Sequence, residues 1–112
     1  MNLQEHLLVC LNEESAEFSQ ELCKCLRFSA QHIPVGIYTT SNIERAELEF
    51  ADMCAIADLL KIRCNLDLGF PRLFDLKPNQ QQRFREKQAR TLQGMQFAEQ
   101  LDTLQTLEEY LP

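Results

Sequence analysis

The chain has 112 residues, a formal net charge of −6, 45% hydrophobic residues and 25% charged residues. That length supports a single domain (1–112) with a modest core, and the acidic balance argues against long nucleic acid as the main ligand. No apolar run approaches the roughly 18 residues of a membrane span, and no charged-then-apolar signal segment opens the sequence, so a cytoplasmic protein with no membrane partner is expected.

Only 3 Gly and 4 Pro stand beside abundant Leu, Glu, Gln and Ala, a composition that favours helix over strand. The first predicted helix covers about residues 3–29, with an apolar period through Leu7, Leu11, Phe18, Leu22 and Leu26. Glu14 and Glu17 fall on the side of that stripe, at about 100° per residue. Glu21 shares their face, as a general base or as a helix-edge acid. Lys24 lies seven residues after Glu17, where it either approaches a phosphate or pairs with Glu21.

Pro34 and Gly36 end this helix in a linker over residues 32–42, whose stretch 37–40 reads as briefly extended. Ser41 and Glu44 then have capping-box spacing, which starts a second helix over about residues 42–63. On it Glu49 and Asp52 lie three apart, and Glu49 shares its face with Met53, Ile56 and Leu60. Asp58 falls opposite Glu49 and is expected in solvent.

Residues 65–78 form a second connection, broken by Gly69, Pro71 and Pro78. Its Leu66, Leu68, Phe70, Leu73 and Phe74 make it too apolar for a free linker. A third helical segment is predicted over about residues 79–107, with Gly94 a place for a bend, and Leu101, Leu104, Leu107 and Leu111 spaced for a short closing helix. Arg83, Lys87 and Arg90 share one face of this segment. Residues 77–90 carry +4, leaving −10 on the remainder. Three such helices do not cover one another's apolar faces, so an antiparallel bundle completed by a second copy is expected.

The five cysteines show no metal-ligand spacing and read as reduced thiols. The acids are more informative. A buried, unpaired carboxylate costs several kcal/mol or more, and a cation between the first two helices satisfies Glu14, Glu17, Glu49 and Asp52 together. Oxygen donors without His or Cys suit a hard ion, Mg²⁺ or Mn²⁺. Beside it, the basic stripe complements a polyphosphate.

Glu13-Glu14-Ser15-Ala16-Glu17 followed by Glu49-Phe50-Ala51-Asp52 resembles the Glu-Glu-x-x-Glu and Glu-x-x-Asp signature of the MazG-like all-α nucleoside triphosphate pyrophosphohydrolases. The helices around the two motifs, the turn Asn65-Leu66-Asp67 and the stretch Glu86–Arg90 are similar to the family's as well, so the likeness spans roughly residues 3–92. It implies a helical homodimer or homotetramer that binds Mg²⁺ on Glu14, Glu17, Glu49 and Asp52. It also implies cleavage of a (d)NTP between the α- and β-phosphates to the monophosphate and pyrophosphate. Lys87, Arg90, Arg83 and Lys24 are the candidate phosphate-binding residues. Gln88 stands where the family has Asn and Arg90 falls one position early, which motivates one rival, a non-catalytic nucleotide-binding or regulatory oligomer on the same scaffold; a second rival is a structural helical adaptor whose acidic pairs are incidental.

Overall fold

Local hydrogen bonds set the bounds of each helix in the computed structural model, which describes residues 1–36 and 39–100, the side chains of 97–100 excepted. Helix α1 (Leu3–Phe28) is capped by Asn2, whose side-chain oxygen accepts from Glu5 N–H at 2.8 Å. It stops at Ser29, where φ is +83°. Helix α2 (Asn42–Cys64) opens on the expected capping box: Glu44 N–H donates to Ser41 Oγ at 3.3 Å, and Ser41 N–H to Glu44 Oε1 at 3.5 Å. It closes on Asn65 in the left-handed region, with Leu66 N–H reaching back to Leu60 O at 3.2 Å. Helix α3 (Pro78–Gln100) begins with a proline, whose missing N–H is not needed in a first turn. Gly94 neither splits nor ends α3.

α1 and α2 pack antiparallel. Descending α1 while ascending α2, Asn42 Nδ2 donates to Ser29 O, Arg45 to Glu21, Phe18 meets Phe50 edge-on at 5.8 Å, and Leu3 and Leu7 join Ile56, Leu59 and Leu60. α3 does not alternate in turn. Gln80 bonds Glu47 O, Arg83 bonds Asp52 and Gln88 bonds Asp58, so residue numbers rise together and α3 runs parallel to α2. The antiparallel expectation therefore holds for α1 against α2 and fails for α2 against α3.

Parallel neighbours need a return segment, and residues 65–77 provide it, including a 3₁₀ turn at Leu73–Asp75. Leu66, Phe70, Leu73 and Leu76 hold this strap to the core, whereas Leu68 and Phe74 are exposed. One core cluster joins Leu3, Leu7, Ile56, Leu59, Leu60 and Met95; the other joins Cys54, Ala55, Leu76 and Phe84.

The apolar stripe of α1 is covered only in part. Leu22 and Leu26 are exposed, as is Leu8, which shares their side of the helix. The described residues contain no strand, and no helix among them is long and apolar enough to cross a membrane. Ile37, Tyr38 and the expected closing helix over 101–111 lie outside the described residues.

Candidate metal centre

Two helical turns separate Leu7 from Glu14, so the stripe that buries Leu3 and Leu7 carries Glu14 into the same interface, where it is 5% exposed. On α2, Asp52 sits one turn before the core residue Ile56 and is 2% exposed. Antiparallel packing brings the acid-bearing turns level. Carboxylate oxygens of Glu14, Glu17 and Glu49 lie within 4.8 Å of one another.

α3 contributes the cations. Lys87 Nζ donates to Glu14 Oε1. Arg83 holds Asp52 through two hydrogen bonds, Nε to Oδ1 at 2.9 Å and Nη2 to Oδ2 at 2.8 Å, and the same Nη2 lies 3.5 Å from Glu49 Oε1. Glu14 Oε2 and Glu49 Oε2 are buried and accept no hydrogen bond. Buried polar atoms are satisfied in the large majority of cases, so two bare carboxylate oxygens at one place call for an explanation.

The crowding of negative charge shows in the acid strengths. Burial, then the neighbouring Asp52 charge, then the adjacent Glu17 carboxylate push the Glu49 carboxyl up to about 7. Burial also raises Glu14, against the opposing effect of Lys87. Both groups gain from a positive charge placed between them.

The remaining sequence candidates divide. Glu14, Glu17 and Glu49 come together. Asp52 lies beside them, with both oxygens occupied by Arg83. Of the four candidate phosphate-binding cations, Arg83 and Lys87 reach the acids, Arg90 is exposed, and Lys24 donates to Glu21 at 2.9 Å. Glu21 also accepts from Arg45 Nε at 3.3 Å, which makes it a half-buried partner of two cations and not a free helix-edge acid.

Arg45 was not foreseen. Its guanidinium ties Glu21, Thr40 O and Asn42 Oδ1 together, and with Thr40, Leu48, Glu21, Glu49 and Arg83 it lines a cleft of about 320 Å³ that opens beside the acids. Its spacing of four residues before Glu49 was the available signal. Asp58 is a correction. It is not a solvated acid, because Gln88 Nε2 donates to its Oδ2 at 2.7 Å and to Ala55 O at 3.2 Å. α2 has packed neighbours on both sides, so the face opposite Glu49 is half-covered by α3 at Asp58.

The donor set of carboxylates, with neither sulfur nor ring nitrogen, together with two bare buried oxygens, fits a hard divalent cation. The thiols play no part in it; burial pushes Cys54 up to about 11 and raises Cys10 as well. No protein-family model matches the chain, and no curated protein or solved structure is found to be similar to it.

Proposed function

We propose that the chain is a Mg²⁺-dependent nucleotide pyrophosphohydrolase of MazG-like type, acting as a homo-oligomer on a nucleoside triphosphate. One observation carries the reading: buried Glu14 and half-buried Glu49, facing each other between α1 and α2, each keep a buried oxygen without a hydrogen-bond partner, and Glu17 lies alongside. Glu14, Glu17 and Glu49 would hold Mg²⁺ or Mn²⁺, with Asp52 supporting them through Arg83. When bound, such an ion polarises a phosphoryl oxygen and neutralises developing charge.

The chain's own groups do the rest. The cleft beside Glu49 is open enough for a nucleotide's sugar and base, and Arg83 lines it. Nε and Nη2 of Arg83 are spent on carboxylates, which leaves Nη1 to meet a phosphate oxygen. Of the three clustered acids Glu17 alone is exposed, and we assign it the proton of the incoming water. The water oxygen bonds to the α-phosphorus, the bond from that phosphorus to the bridging oxygen breaks, and pyrophosphate leaves. The uncovered Leu8, Leu22 and Leu26 on α1 support assembly with a second copy.

Incubating the protein with a panel of dNTPs and Mg²⁺ should release pyrophosphate and the monophosphate, without orthophosphate. No product from any nucleotide, together with a melting temperature indifferent to Mg²⁺ and Mn²⁺, removes the reading. A second reading, nucleotide binding without turnover, is favoured by Gln88, which is spent on Asp58 and Ala55. Tight binding with no hydrolysis would select it.

A further inference from the structure

Buried Glu14 and half-buried Glu49 each give one oxygen to a cation of the protein and keep the other bare. Glu14 Oε1 accepts from Lys87 and Glu49 Oε1 faces Arg83, while Oε2 of both is buried without a partner. The Glu14 side chain is only 7% exposed, so bulk water does not serve its free oxygen. Asp52 is saturated by Arg83 on both oxygens. When ionised, the four acids bring four negative charges, and Lys87 with Arg83 returns two. The balance is that of a single divalent ion.

We propose that Lys87 and Arg83 are built-in counter-ions occupying the side of the cluster where a second divalent ion would be held, so that the site takes one Mg²⁺ or Mn²⁺ per chain. The inference rests on the metal-centre reading above and specifies its stoichiometry. Two-metal sites place their ions about 3.5–4 Å apart and need carboxylates able to bridge them. Here one oxygen of Glu14 and one of Glu49 already face nitrogen donors on α3, which leaves each carboxylate a single free oxygen. The first ion is then left Glu14 Oε2, Glu49 Oε2 and Glu17. Three side-chain oxygens leave about half of magnesium's octahedral positions for water or phosphate. A side-chain cation differs from a second metal in one respect that matters: it cannot be diluted away, so the charge it supplies is independent of divalent-ion concentration.

Counting Mn²⁺ bound to the full chain by electron paramagnetic resonance of the free ion, with parallel calorimetry, tests this without any turnover. Wild type should bind one ion per chain. Lys87→Met should bind two, and Lys87→Arg should return the count to one. If Lys87→Met does not fold by circular dichroism, Lys87→Gln replaces it with the same expectation. Two ions in wild type, or one in the folded charge-removing variant, overturns the counter-ion role while leaving the metal centre standing. No Mn²⁺ bound by wild type removes the metal centre and this inference with it.

Discussion

Arg83 grips Asp52 through two hydrogen bonds of 2.9 and 2.8 Å, joining α3 to the middle of α2 at a carboxylate that is 2% exposed. Such a two-point contact fixes the guanidinium plane as well as its charge. Because the same Nη2 leans toward Glu49, the pair also sets where the cationic edge of the cluster lies.

Removing the guanidinium leaves Asp52 buried and uncompensated. Arg83→Met should therefore lower stability by about 3 kcal/mol, near the bottom of the range for broken buried pairs because Arg83 is partly exposed. Urea unfolding in EDTA measures it, and an unchanged midpoint would show that the pair does not hold the helices.

Stability without divalent ions should fall as pH rises. Glu49 titrates from the ordinary 4.5 when unfolded and from about 7 in the fold. Between those values the folded state retains a proton that the unfolded state has released. This group's contribution is complete below about 4.5 and is lost as pH rises through about 7, by up to about 3 kcal/mol. Melting temperatures in EDTA from pH 5 to 8 should drop more for wild type than for Glu49→Gln. Mg²⁺ should cancel the drop, and its affinity should strengthen across the same window.

Glu14→Gln keeps a hydrogen-bond acceptor for Lys87 but removes charge from the cluster. Thermal stabilisation by Mn²⁺ should disappear, and pyrophosphate release should fall by at least about 100-fold, equivalent to about 2.7 kcal/mol of barrier. A variant that retains both sinks the assignment of Glu14 as a ligand.

Gln88→Ala removes the clip from α3 to Asp58 and Ala55. A hydrogen bond to a charged acceptor is worth about 1.5 kcal/mol or somewhat more, and that loss should appear in chemical denaturation. Mn²⁺ binding should change little, since Gln88 does not touch the clustered acids.

Glutamate at positions 22 and 26 tests the uncovered side of α1. Light scattering behind gel filtration should show a dimer for wild type and a monomer for Leu22→Glu/Leu26→Glu, with helical content unchanged. A monomeric wild type would leave those leucines without the partner proposed for them.

Local features and the antiparallel pairing of α1 with α2 proved readable, and the direction of α3 did not. The capping box at Ser41 and Glu44 starts α2 where the spacing placed it, because all its bonds fall within four residues. Acids on the apolar stripes of α1 and α2 marked a meeting point, since helical angles alone put Glu14 with Leu7 and Asp52 with Ile56. The direction of α3 was hidden, because it depends on how far residues 65–77 run back. Asp58 shows the same limit. Its angle from Glu49 was read correctly, yet that side is half-buried and bonded to Gln88, because α2 is flanked by α1 and by α3 with the strap. The small residues Ala51, Cys54, Ala55 and Ala57 lining α2 were the sign of close approach.

The return strap also sets an order of events during synthesis. α1 and α2 can zip together as soon as both have emerged, whereas Arg83 and Lys87 arrive only after residues 65–77 have laid α3 back along α2. Until then the nascent hairpin carries its acids unrestrained. A fragment ending at residue 77 should accordingly lose helical signal by circular dichroism on moving from acid to neutral pH, and the full chain should not.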